Sequence, residues 1–462
     1  MRARHNNRNV HCPGMMRTLS SRQACSTLRD NMRPRNKSSA RRALQKQFYV
    51  LAIALCSAAL AVPSLPAEKP VSSESIADSV GINVHLHYTD TPYSNFPLVE
   101  SLLRDLHVRH IRDGLVDTTW AEFYKRHNSL GALGIGCVYV TSPKQSDALL
   151  AAYPQRVRRD FEGYEAPNEY NNSGDSRWPD TLESFLPRLQ KIAETTSGMN
   201  GRTLLIGPSL TQPDAFPKAA GLERYFDYAN LHNYLAGRNP GTAGWGGGGY
   251  GSINWNLNLA NGAWNGKPVM TTEIGYNTDP SNKQGVPEDV QAKYMPRLIL
   301  EQLLHGIRRT YIYELMDVGP KVSKNDAAFG LVRNDGGRKP AYNAIKNLLQ
   351  ITTDHDGIAD LKDLPMQLSG DTRNVHHLLA RRSEGSYLLF FWVEEPSFDP
   401  DKKAKLESPT RSITFSSSAH CRSVELLTFS DQGEIANHQL SDTMPLRLDA
   451  TDRISVLRLR LE

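Results

Sequence analysis

The chain has 462 residues, more than one domain of ordinary size at about 150 residues, although a single (β/α)8 barrel takes up about 250. With 39% hydrophobic and 22% charged residues it can bury a core, which excludes wholesale disorder. The net charge of +5 is unevenly placed: residues 1–47 hold twelve Lys/Arg against one acid, Asp30, so the remainder is acidic, and a nucleic-acid partner argued from overall basicity is excluded.

From the N-terminus, the basic segment leads into an uncharged apolar run at 48–62, FYVLAIALCSAALAV, then into small residues and prolines. The run is shorter than the ~20 residues of a spanning helix. Basic, apolar and small-residue regions in that order predict a secretory signal, cleaved near Ala61 or Ala67, with an uncleaved anchor as the alternative. The expected location is periplasmic or extracellular, with no stable membrane association after cleavage. Cys12, Cys25 and Cys56 fall in this presequence, leaving Cys137 and Cys421. That excludes a disulfide framework and a CxxC metal pair, and leaves one disulfide open.

The body then alternates short Val/Ile/Tyr-rich runs with amphipathic stretches. Strands are expected at 81–87, 108–113, 134–141, 163–168, 203–209, 228–234, 269–273 and 309–315, with helices at 97–106, 180–195 and 288–305 among them. Eight such strands over about 270 residues predict a (β/α)8 TIM barrel. From about residue 360 the runs are short, alternating and turn-bounded, predicting a small C-terminal antiparallel β-sandwich. The expected division is 1–67 for the N-terminal extension, 68–355 for the barrel and 356–462 for the sandwich.

Barrel chemistry gathers at the C-terminal ends of the strands. The fourth strand ends Glu165-Ala166-Pro167-Asn168-Glu169-Tyr170 and the seventh Thr271-Thr272-Glu273-Ile274-Gly275, so each brings a glutamate to the mouth. Two carboxylates about 5–5.5 Å apart hydrolyse a glycoside by double displacement. Glu165 reads instead as a structural ion-pair partner, while Glu314 and Asp317 are further candidates at the mouth.

Asn-Glu and Thr-Glu at these two strand ends resemble the signature of clan A glycoside hydrolases, most nearly family 39 and its bacterial members. The resemblance implies that Glu169 is the acid/base, Glu273 the nucleophile, and Asn168 a ligand of the sugar 2-hydroxyl. It also implies that Arg112, His232 and Tyr234 lie beside the nucleophile. The closing Phe329-Gly330-Leu331-Val332 and Arg338-Lys339-Pro340-Ala341-Tyr342 are similar to the ends of many such barrels, and the likeness covers about residues 75–350. The chain departs from the pattern at Tyr170, where a proline is common, and in an eighth strand without tryptophan.

His85 and His87 alternate onto one face of the first expected strand, as sugar contacts or core residues; with no third ligand nearby, no metal is expected there. The glycine-rich run at 244–249 matches a dinucleotide fingerprint in letters only, because Ser252-Ile253-Asn254-Trp255-Asn256 does not read as a helix start. It is expected instead to be a mobile loop that closes over substrate and stacks Trp245 or Trp255 on a sugar ring, with Tyr250 and Trp264 also available. Trp178 is a similar candidate. Gly174-Asp175-Ser176 resembles an esterase nucleophile block, but no Asp-x-x-His partner follows. The expected function is an exported retaining glycoside hydrolase acting on an oligo- or polysaccharide, needing no cofactor. A transglycosylase or a non-catalytic carbohydrate-binding protein is the alternative. Sugar, linkage and oligomeric state are open.

Overall fold

The computed structural model describes residues 65–319, 327–354 and 360–462. The apolar run at 48–62 and the three presequence cysteines lie outside the described residues.

Eight parallel strands form one sheet: β1 (Val80–Asn83), β2 (His110–Gly114), β3 (Gly136–Val140), β4 (Phe161–Glu165), β5 (Leu204–Ile206), β6 (Ala229–Leu231), β7 (Val269–Ile274) and β8 (Thr310–Ile312). Their order is β6-β7-β8-β1-β2-β3-β4-β5. A parallel bridge from Ile206 to Tyr228, with Gly207 N donating to Tyr228 O at 2.8 Å, closes the ring between β5 and β6. Helices α1 (Phe96–Leu106), α2 (Ala121–Ala132), α3 (Asp147–Arg156), α4 (Trp178–Thr195), α5 (Ala215–Lys218), α6 (Ile253–Trp264), α7 (Glu288–Leu304) and α8 (Pro340–Thr352) connect or follow the strands. Their ends follow local chemistry. Asn95 caps α1 by accepting from Leu98 N, Pro97 fits its first turn, and His107 ends it at φ 58°.

The barrel interior is layered. Val138, Ile206, Met270 and Tyr311 pack as an apolar middle. Below it, His110, Glu162 and Arg309 make ion pairs of 2.8–3.0 Å. Above it lie the buried polar residues Asn83, Arg112, Glu165, Asn230 and Thr272, which face the mouth. Polar groups this deep persist only when hydrogen-bonded, so this layer has one arrangement.

The sandwich has a four-stranded sheet of Ala67–Glu68, β9 (Leu364–Gly370), β12 (Arg411–Ser417) and β15 (Leu446–Ala450). A six-stranded sheet runs Val71–Ser72, β10 (Val375–Arg381), β11 (Tyr387–Val393), β16 (Ser455–Leu461), β13 (Cys421–Phe429) and β14 (Ile435–Leu440). Two edge strands thus come from residues 67–72, which the sequence divides between the end of the N-terminal extension and the head of the barrel; they are too short to carry an alternation of their own. Within the six-stranded sheet β10, β11 and β16 alternate faces. Leu389, Phe391 and Leu457 enter the sandwich core, while Phe390, Trp392 and Val456 join the core shared with the barrel. Cys137 and Cys421 are both free and buried, so the open disulfide does not form. Among the described residues no helix is long and apolar enough to cross a membrane.

Candidate active site

Arg112, in the middle of β2, organises the mouth. Its Nε and Nη2 donate to Glu165 at 2.7 and 2.8 Å, the bidentate geometry that only a guanidinium offers. Its Nη1 donates to Asn83 Oδ1 at 2.8 Å and to Glu273 Oε1 at 2.6 Å, and Nη2 also reaches Asn168 Oδ1 at 2.7 Å. Glu165 is fully buried and is the ion-pair partner expected from sequence.

Glu273 also accepts from Tyr234 Oη at 3.3 Å. Burial works to raise its carboxyl, but the His232 and Arg112 charges and the Arg112 hydrogen bond outweigh it, holding the group below its ordinary range. Burial, and then the Glu273 charge, push the Tyr234 phenol far up, so it remains a donor.

Glu169 sits four residues beyond β4 in the left-handed region, at φ 42° and ψ 40°. That conformation costs a non-glycine residue about 1–2 kcal/mol. Its N–H donates to Ser209 Oγ at 2.9 Å, which helps hold it. Its Oε1 lies 2.8 Å from His232 Nδ1. One oxygen of Glu169, one of Glu273 and a ring nitrogen of His232 all lie within 4.8 Å of one another.

Hydrogen bonds beneath His232 decide its tautomer. Asn230 Nδ2 donates to Gly207 O at 3.1 Å, which leaves its Oδ1 to accept from Thr272 Oγ1 at 2.8 Å. Thr272 Oγ1 also approaches Glu165 Oε1 at 3.2 Å, again an acceptor. Either way the hydroxyl proton is committed, so Thr272 accepts from His232 Nε2, 3.0 Å away. With Nε2 donating to Thr272, Nδ1 faces Glu169 Oε1, and a single proton between the two makes that hydrogen bond.

Of the remaining expected residues, His85 and His87 do not share a strand face. β1 ends at Asn83, Asp113 Oδ2 captures Leu86 N at 3.1 Å, and the chain turns, leaving the two rings 81° apart. His85 faces Glu314 at 3.3 Å and stacks on Tyr88, while His87 faces Asp113 at 3.5 Å. Burial pushes Glu314 up, and Glu314 outweighs burial to push His85 up. Asp317 instead pairs with Lys339 at 2.7 Å. In place of a tryptophan after β8 stand Tyr313 and Phe329, rings 5.6 Å apart, with Tyr234 the same distance from Phe329.

The loop after β6 differs from expectation at Ser252. Ser252 does start a helix: its hydroxyl accepts from Trp255 N at 3.1 Å and caps α6, whose Ile253, Ala260, Ala263 and Trp264 are buried. The glycine run forms a turn closed by Trp245 N donating to Tyr250 O at 3.0 Å. Trp245 is partnered by Arg238, 4.7 Å over its ring, and by Gly251, where a methyl would lie 2.2 Å from the indole. Trp255 contacts Tyr250 at 4.6 Å, and Tyr250 is 42% exposed. Trp264 and Trp178 belong to the core.

Glu169, His232 and Glu273 are spaced as metal ligands could be, but Arg112 bonds Glu273 and His232 bonds Glu169, so their atoms are already engaged. In the other such group, His127, Cys137 and Asp160, burial pushes the thiol well up, away from the thiolate a metal needs.

No protein-family model and no curated protein sequence matches the chain. Solved structures do. A family 39 glycoside hydrolase from the gut symbiont Bacteroides cellulosilyticus WH2 aligns at TM-score 0.58 and 17% identity, over 84% of this chain and 82% of its own. The family 39 enzyme of Xanthomonas axonopodis pv. citri aligns at 0.56 and 14%, over 86% and 96%. A monomeric β-xylosidase from Caulobacter crescentus CB15 aligns at 0.53 and 15%, over 87% and 98%. The fold is similar to that of these family 39 enzymes. At these identities the likeness is one of fold, and chemistry is argued from the site.

Proposed function

We propose that the protein is an exported retaining glycoside hydrolase acting on an oligo- or polysaccharide. The observation that carries this reading is the carboxylate pair: Glu169 and Glu273 oxygens within 4.8 Å across the mouth, one bonded to Arg112 and the other to His232. Inversion requires room for a water and separations of about 6.5–9.5 Å.

Glu273 attacks the anomeric carbon. The C–O bond to the leaving group breaks, and Glu169 gives its proton to the departing oxygen. Water then adds to the glycosyl-enzyme, losing its proton to Glu169, and the ester bond to Glu273 breaks. Arg112 and Tyr234 keep Glu273 ionised and aimed, and Asn168, itself held by Arg112, meets the sugar 2-hydroxyl. His85 contributes at the rim beyond β1. A sugar acceptor in place of water makes the same machinery a transglycosylase. The basic head and the apolar run at 48–62 support export, which sequencing the N-terminus of the secreted protein tests.

The test of function is a panel of xylosides, glucosides and polysaccharides, with the anomer of the first product read by NMR. Retained configuration supports the reading; inverted product, or no turnover of any member, counts against it.

A further inference from the structure

A cavity of about 110 Å³ lies between the loops after β5 and β6. His232 and Tyr234, which touch the two candidate catalytic carboxylates, belong to its wall, and Tyr250 and Trp255 present aromatic surface to it. Its wall mixes apolar groups, Leu210 and Phe216, with hydrogen-bonding ones, Thr211 and Asn256. Asn233 also lines it. This residue is 1% exposed; its amide oxygen accepts from Thr271 and Gln302, and its Nδ2 has no partner.

We infer that this cavity receives the first sugar ring of the leaving group. The inference rests on the hydrolase reading above and gives it a direction. The departing oxygen takes its proton from Glu169, so the leaving group lies on the Glu169 side of the scissile bond. Glu169 is held from that side, by Ser209 after β5 and by His232 after β6. His232 is part of the cavity wall, whereas His85, Tyr313 and Phe329 stand on the β8–β1 side of Glu273. Its chemistry suits a pyranose: Tyr250 and Trp255 meet the C–H face, while Thr211 and Asn256 meet hydroxyls. The substrate is thus a glycan cleaved between two sugars, not a glycoside of a small alcohol.

The experiment compares a disaccharide with the glycosyl fluoride of the same donor sugar, both drawn from the panel above. Fluoride needs neither a proton nor a ring-sized site to leave. In the double variant Tyr250→Ala, Trp255→Ala, kcat/KM for the disaccharide should fall at least about tenfold relative to that for the fluoride. Equal losses on both would overturn the inference, because the two rings would then serve the donor sugar or the fold. No loss on either would also overturn it, since the cavity would take no sugar. A wild-type protein that turns over no glycosyl fluoride refutes instead the hydrolase reading beneath it.

Discussion

At the residue scale, the two glutamates differ by their neighbours. Glu273 receives Arg112 and Tyr234, both donors with no proton to lose near neutrality, and so stays ionised. Glu169 instead faces His232, whose Nε2–H is committed to Thr272, so that one proton lies between Nδ1 and the Glu169 carboxyl. General acid–base catalysis contributes about 10²–10⁴-fold. Glu169→Ala should therefore lose about that much on a natural glycan, and far less on glycosyl fluorides. Azide should restore its turnover by attacking the glycosyl-enzyme, giving a glycosyl azide of retained configuration by NMR; an azide of inverted configuration would reverse the two roles. Both glutamates were legible as candidates because each lies near the end of a strand in a short recognisable motif. Asn230, Ser209 and the unpaired amide of Asn233 were not. They are polar residues in or beside apolar strands, and only closure of the barrel brings them to partners 38 to 69 positions away.

Among elements, the loop after β6 depends on the sandwich. Glu394, just past β11, accepts from Asn239 Nδ2 and Gly241 N, both at 2.8 Å, and from Trp392 Nε1 at 2.8 Å, while pairing with Arg297 of α7 at 2.6 Å. One buried carboxylate thereby ties a barrel helix, a sandwich strand and the base of the loop that carries Tyr250. A methyl at Gly241 would lie 2.3 Å from Glu394 Cγ, so Gly241→Ala must displace the loop or the carboxylate. Its KM for oligosaccharides should rise about tenfold, or ~1.4 kcal/mol, relative to that for a glycosyl fluoride. An unchanged ratio would show that the anchor does not govern the loop. Sequence could not reveal this contact, whose partners lie 153 residues apart. It also concealed α6: Asn254, Trp255, Asn256 and Asn258 are weak helix formers, and the Ser252 cap with one buried face overrides them.

At the scale of the whole molecule, the barrel order was readable from the strand–helix alternation and the sandwich from its change of period. The first strands of both sandwich sheets were not, since two residues carry no pattern and their pairing lies some 300 residues on. The polar floor of the barrel gives stability a pH dependence. Burial works to raise the Glu162 carboxyl, but the His110 charge and hydrogen bond, followed by Arg309, overcome it and bring the group from 4.5 to about 2. A carboxyl lowered in the folded state adds stability above its unfolded pKa and loses it as pH falls towards the folded one; here that amounts to about 3 kcal/mol. The Tm gap between wild type and Glu162→Gln should be widest above about pH 5 and close as pH falls towards about 2. A gap that does not vary with pH would show that the pairing contributes nothing through ionisation.

The central claim is that Glu273 forms a covalent bond to the sugar, and trapping tests it most directly. In a 2-deoxy-2-fluoroglycosyl fluoride the C2 fluorine slows both steps by withdrawing electrons from the oxocarbenium-like transition states, while the fluoride leaving group lets the first proceed, so the glycosyl-enzyme accumulates. Mass spectrometry of the digested adduct should find one fluoroglycosyl group on the peptide containing Thr272 and Glu273, esterified at Glu273. A label on Glu169 or Glu165, or no adduct together with an inverted first product, would contradict the account.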